Sequence, residues 1–135
     1  MPKILFPGGV VKKSMIFVVT TTLLMLSSYA NAIDIDNALN SARKEGRAVM
    51  VELGSVGCRP CEEMKSVMTK LRANYGEKLD VIFVDIRKDS DAGRRFRVFL
   101  IPTQVFLDRN GKEFHRHLGY YSYDEIVPVL KKAGL

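Results

Sequence analysis

The chain has 135 residues, enough for one domain, and a formal charge of +6. Lys3, Lys12 and Lys13 lie ahead of the expected domain, and without them 18 basic residues stand against 15 acidic ones. So small an excess, with no basic stripe interleaved with aromatic residues, argues against nucleic acid as a partner.

The first stretch reads as a targeting segment. Lys12 and Lys13 precede an apolar run from Met15 to Leu26, broken only by Thr20, Thr21 and Thr22. Ala30 and Ala32 then have the spacing of small residues at a signal-peptidase site. Residues 1–32 are therefore expected to be a signal peptide cleaved after Ala32, leaving residues 33–135 as the mature domain. The run is short for a membrane helix, which needs roughly 20 apolar residues. An uncleaved membrane anchor is the alternative. In both cases the domain is expected to be exported, to the periplasm or beyond, where disulfides persist.

The mature chain alternates helix and strand. Ala38, Leu39 and Ala42 recur at helical spacing, with Asp34 or Asp36 as the cap and Gly46 as the stop. Ala48 to Leu53 is apolar enough for a central strand, although it contains Glu52. A helix is expected from Cys61 to about Tyr75, with Met64, Val67, Met68 and Leu71 on one face as core residues. Val81 to Ile86 reads as a second buried strand, and Asp89, Ser90 and Asp91 offer caps for a short helix through Phe96.

Thr103–Leu107 and Glu113–Leu118 read as strands joined by Asp108-Arg109-Asn110-Gly111, a hairpin signal. Ser122 and Glu125 have capping-box spacing for the last helix, which Pro128 is expected to kink or divide. The class is α/β. The first two strands are parallel through the long crossover helix, and the last two form an antiparallel hairpin. The result is a mixed sheet with helices on both faces.

Between the first strand and the long helix lies Gly57-Cys58-Arg59-Pro60-Cys61, which holds both cysteines of the chain. A pair with this spacing in an α/β pattern reads as a redox dithiol. A structural zinc site would need two further ligands, and His115 and His117 lie far along the chain, where one exposed strand edge suits them better than a metal. A structural disulfide across so short a loop would constrain the unfolded chain little. At the helix N-terminus, free backbone N–H groups and the macrodipole favour Cys58 as a thiolate, the attacking form of the sulfur. Arg59 adds positive charge, and Pro60 suits a first helical turn. Cys61, inside that turn, suits a resolving thiol. Arg94, Arg95 and Arg97 read as a solvated helix face. Tyr120 and Tyr121 either meet a substrate or pack the last helix.

In this order the features resemble the thioredoxin family over nearly all of the mature chain: a buried strand before the cysteine pair, Ile101-Pro102-Thr103 opening the third strand, the Asn110-Gly111 hairpin, and Gly119 before the last helix. The resemblance implies the thioredoxin fold and a cis-proline at Pro102 beside the disulfide. It implies that the backbone of Ile101 pairs with a bound substrate chain. Arg59, Pro60, Pro102 and Gly119 are expected to complete the substrate surface. It also implies a catalytic role for Glu52, six residues before Cys58, as a buried acid that moves the proton of Cys61. Burial would raise its pKa towards a useful range, whereas simple strand alternation would turn it to solvent.

The chain departs from the family pattern at Gly57, where tryptophan is usual, at Arg59, where thioredoxin proper has glycine, and at Ser66, where proline is usual. The family's exported members include general periplasmic reductases and proteins that keep haem-attachment cysteines reduced in cytochrome c maturation. The expected function is therefore an exported thiol–disulfide oxidoreductase that reduces protein disulfides. Its expected partners are disulfide-bearing proteins and a membrane thiol donor, and it is expected to be a monomer. The dithiol itself is the redox centre, so no cofactor or metal is expected. Pro60 favours a reductant and Arg59 an oxidant, within a family range of about 150 mV. A disulfide oxidase or isomerase, and a non-catalytic peptide-binding module, are the alternatives.

Overall fold

The computed structural model describes residues 35–135, and the expected signal peptide and its cleavage point lie outside the described residues. The elements are α1 (Ile35–Lys44), β1 (Ala48–Gly54), α2 (Arg59–Tyr75), β2 (Leu79–Asp85), α3 (Ser90–Arg95), β3 (Thr103–Leu107), β4 (Glu113–Leu118) and α4 (Tyr123–Lys132). The four strands form one sheet in the order β2-β1-β3-β4. β1 and β2 are parallel, and the β1–β3 and β3–β4 pairs are antiparallel. This is the mixed sheet expected from the sequence.

β1 is central, and every one of its residues is buried. Its alternation divides the core in two. Val49, Val51 and Leu53 join Val84, Val105 and Leu107 beneath α1 and α3, with Ile35, Ala42, Ala92 and Phe96. Ala48 and Met50 join Leu79, Val81 and Phe106 on the opposite face, against α2 and α4. There α2 contributes Met64, Val67, Met68 and Leu71, the stripe read from the sequence, and α4 contributes Ile126 and Leu130.

Local signals set most boundaries. Asp89 caps α3 by accepting a hydrogen bond from the Ala92 backbone at 2.9 Å. The Asp108 carboxylate accepts from the backbones of Asn110 and Lys112, both at 2.9 Å, and so shapes the hairpin turn. β2 starts at Leu79, earlier than its apolar run suggests, because Asp80 is held by Arg47 at 3.0 Å while Leu79 is buried under α2. Pro128 does not divide α4. It sits on the exposed side of one continuous helix, which buried Ile126 and Leu130 hold against the sheet.

Ser122 caps α4 in a complete capping box with Glu125. Ser122→Ala is expected to lower the unfolding free energy by about 1 kcal/mol. Leu71→Ala, in the core under α2, is expected to cost about 2–5 kcal/mol. Urea unfolding checks both, as shifts in midpoint with unchanged slope.

Candidate active site

β1 ends at Gly54, and Ser55, Val56 and Gly57 turn the chain into α2. Gly57 has φ +81°, a conformation that favours glycine. The Cys58 backbone donates to the Ser55 carbonyl at 3.3 Å, and the Ile86 backbone donates to the Gly54 carbonyl at 3.0 Å. Asp85, at the end of β2, accepts from the Val56 backbone at 3.4 Å and from the Arg87 backbone at 3.0 Å. The turn is thus braced on both sides.

Cys58 is the N-cap of α2, in extended conformation, with no side-chain cap hydrogen bond, and Pro60 lies in the first turn. No side chain at the cap competes with a sulfur anion for the first N–H groups of the helix, so a thiolate there is stabilised. Cys58 and Cys61 form a disulfide with Cα atoms 5.2 Å apart. Cys58 is half-buried, whereas Cys61 is only 2% exposed. Cys61 lies over Gly54, where a Cβ would stand 3.2 Å from its sulfur and 3.1 Å from the Phe83 ring. The Arg59 side chain is 90% exposed and pairs with Glu63 at 3.4 Å. Such an exposed pair contributes little, and it diverts part of the arginine charge from the sulfur.

The Ile101–Pro102 peptide bond is cis, as the resemblance implied. Pro102 is buried and Ile101 half-buried. The Gly119 backbone, at φ +91°, donates to the Pro102 carbonyl at 2.7 Å and ties together the loops at the start of β3 and the end of β4. Thr103 pairs with Leu53 on one side and Leu118 on the other, so these loops share the sheet end where the disulfide lies. Among the described residues, the exposed large apolar side chains are Val56, Phe99, Leu100, Leu118 and Tyr120. All five lie in or beside these three loops, and Phe99 is 93% exposed.

Glu52 is fully buried on the α2 side of β1, not turned to solvent. Along the strand it is two residues from Gly54, about 7 Å, so the acid stands below Cys61. Burial pushes its carboxyl up from the ordinary 4.5 to about 7, and the facing Gln104 amide opposes the rise only in part. Neither carboxyl oxygen has a partner at ordinary hydrogen-bond geometry, and the same holds for Gln104 Oε1. A buried polar atom without a partner costs about 1–3 kcal/mol, so three together mark a place where stability has been spent.

The structure thus brings Cys58, Arg59, Pro60 and Cys61 into one turn, joins Ile101, Pro102 and Gly119 beside each other, and puts Glu52 beneath. Gln104 was missed from the sequence. Its signal was a polar residue inside the apolar strand Thr103–Leu107, at the position that pairs with Glu52. The histidines differ from expectation. His115 bonds the Tyr121 hydroxyl at 3.1 Å and His117 stacks on its ring at 3.9 Å, so they pack the last loop instead of lining an exposed edge. Tyr121 is core, and Tyr120 is exposed. Arg94 and Arg95 pair with Asp91 and Asp36 at the surface. Among the described residues, no three His, Cys, Asp or Glu side chains come together as metal ligands.

The buried carboxyl makes stability depend on pH. The folded chain keeps the Glu52 proton up to about pH 7, whereas an ordinary carboxyl loses it near 4.5. In that window the folded form binds more protons, so stability is complete below 4.5, falls as pH rises to about 7, and stays lower above it. At about 1.4 kcal/mol per pH unit, the loss is on the order of 3 kcal/mol. Glu52→Gln is expected to remove this fall, so that the oxidised variant gains on the wild type above pH 7 and not below 4.5 in urea titrations. Parallel pH curves for the two proteins would exclude Glu52 as the titrating group.

A family model described as a thioredoxin-like domain matches residues 35–134. The chloroplastic thioredoxin Y of Oryza sativa subsp. japonica is 24% identical over 90 residues, covering 67% of this chain and 53% of that protein, so the chain spans about half its length. A thioredoxin of Staphylococcus aureus is 22% identical over 100 residues, covering 74% of this chain and 95% of the relative. Among solved structures, a thioredoxin from Nicotiana alata aligns with TM-score 0.62 at 27% identity, covering 72% of this chain and 82% of that one. A poplar thioredoxin h aligns with TM-score 0.64 at 20% identity over 73% of this chain and 86% of that one, a likeness of fold alone. With the family model across the whole described domain and a disulfide at the mouth of α2, the chain belongs to the thioredoxin family and is a thiol–disulfide oxidoreductase.

Proposed function

We propose that the protein is an exported reductase of protein disulfides. The observation that carries this reading is the asymmetry of the pair: Cys58 is half-buried at the N-cap of α2, and Cys61 is enclosed behind it over Gly54. The Cys58 thiolate attacks one sulfur of a substrate disulfide, and the other substrate sulfur leaves as a thiolate and takes a proton. The Cys61 sulfur, its proton passed to Glu52, then attacks Cys58. The second substrate thiol is released and the Cys58–Cys61 disulfide closes. Two electrons pass to the substrate in each cycle.

The apolar rim of Val56, Phe99, Leu100, Leu118 and Tyr120 supports a polypeptide client over a small disulfide. The backbone of Ile101 pairs with that client as an added strand, next to Pro102, with Pro60 and Gly119 as the walls. Arg59 opposes the reductant direction less than its charge suggests, because the guanidinium is solvated and shared with Glu63. The leader-like residues 1–32 support export. An exported reductase needs electrons from outside its compartment, so a membrane thiol donor re-reduces the pair. Clients include general disulfide proteins or the haem-attachment cysteines of cytochrome c. The protein acts as a monomer, with its dithiol as the whole redox centre.

Cys61→Ser is expected to accumulate mixed disulfides with client proteins through Cys58, and Cys58→Ser to accumulate none, as read by non-reducing electrophoresis and mass spectrometry. Equilibration with glutathione is expected to give a reducing potential; one near that of strong oxidants, about −120 mV, overturns the direction. N-terminal sequencing of the exported protein is expected to begin at Ile33. A chain that still carries residues 1–32 in the membrane fraction would instead establish the uncleaved anchor.

A further inference from the structure

Glu52 and Gln104 face each other across the β1–β3 pair, both fully buried, on the side covered by α2 and α4. The other two buried polar residues, Ser55 and Thr103, each have a local backbone acceptor, Val56 and Leu100 respectively. Gln104 is different. Its Nε2 donates to the Gly119 carbonyl at 3.1 Å, while its Oε1 and both Glu52 oxygens have no partner. Gly119 in turn donates its N–H to the Pro102 carbonyl at 2.7 Å. One side chain therefore stands between the buried acid and the backbone of both groove loops.

An amide suits that place because it has a donor end and an acceptor end. A neutral carboxyl has one O–H to give, and Gln104 Oε1, unpartnered on the residue paired with Glu52, is an acceptor for it. With that bond made, the amide serves Glu52 with its oxygen and Gly119 with its nitrogen. An ionised carboxyl has only acceptors and draws on the amide N–H groups instead. The same nitrogen must then serve both Glu52 and the Gly119 carbonyl.

Among the described residues, no other side chain partners the Glu52 oxygens. β2 presents Phe83, α2 presents Cys61 over Gly54, and α4 presents Ile126 and Leu130 to the same core. His117 of β4 lies one strand beyond, paired in register with Gln104, and its Nε2 contacts the Tyr120 carbonyl at 3.1 Å. We propose that Gln104 is a positioning residue that couples the proton on Glu52 to the Gly119–Pro102 wall of the substrate groove. The proposal rests on the groove assigned above. It adds that the resolving proton and the hold on the client are linked through one amide.

NMR titration of the full-length oxidised chain tests this without turnover, so its outcome is independent of redox direction or client. The Glu52 carboxyl carbon and the Gly119 amide are expected to titrate with one shared midpoint. The Gly119 transition is expected to vanish in Glu52→Gln, which leaves His117 in place. In Gln104→Leu the Glu52 midpoint is expected to rise by roughly one pH unit, as the facing amide is lost, and Gly119 to stop following it. A Gly119 amide that ignores Glu52 in the wild type overturns the proposal, as does one that still follows it in Gln104→Leu. If Gln104→Leu does not fold, Gln104→Met, of similar shape and without the amide, carries the same expectation.

Discussion

Parallel strands cannot be joined by a tight turn, and this constraint organises the molecule. To pair β2 beside β1 in parallel, the chain must leave the end of β1, cross the sheet as a helix and return. The N-terminus of α2 therefore lies at the C-terminal end of the central strand. The antiparallel β1–β3 and β3–β4 pairs bring the start of β3 and the end of β4 to that same end. The helix mouth with its cysteines, the Pro102 loop and the Gly119 loop meet because the strand directions leave them nowhere else to be. The dipole and free N–H groups that favour a Cys58 thiolate arise from the same crossover.

The face of the sheet beneath α2 changes character along its length. Away from the disulfide it is apolar, with Ala48 and Met50 on β1 and Phe106 on β3. Towards the disulfide the same rows hold Glu52 and Gly54 on β1, Gln104 on β3 and His117 on β4. Leucine in place of Glu52 and Gln104 would bury apolar surface and leave no orphaned oxygen. The observed residues surrender that stability for a carboxyl whose proton comes and goes near neutral pH. The lower core, with Met64, Leu71, Ile126 and Leu130 fully buried, supplies the packing that tolerates it.

What the sequence made legible follows from how local each signal is. The strand pattern of Ala48–Leu53, the α2 stripe, the Asp89 and Ser122 caps and the Asp108–Gly111 turn are decided within a few residues, and each is where the sequence put it. The cysteine pair was legible for the same reason, and the cis bond at Pro102 through the family resemblance. What escaped depends on contacts between distant segments. Asp80 hid the start of β2 because its partner, Arg47, is 33 residues away. Pro128 reads as a breaker from its neighbours alone, but the burial of Ile126 and Leu130 keeps the helix whole. The histidines read as an open strand edge from their own segment, whereas the Tyr121 ring packs against both. Gln104 acquires meaning only once register sets it opposite Glu52.

The same distinction separates the two charged residues nearest the chemistry. Arg59 is adjacent to both cysteines in sequence, yet its guanidinium stands in water beside Glu63, where solvent screens it from the sulfurs. Glu52 is six residues from Cys58 and carries no charge while protonated, yet it lies where burial makes its proton costly to lose, beneath the enclosed Cys61. Burial multiplies the effect of a charge that solvent would otherwise dissipate. Burial therefore gives the floor of the site, with Glu52 beneath the enclosed Cys61, more leverage over a nearby charge than the exposed Arg59 has at its mouth.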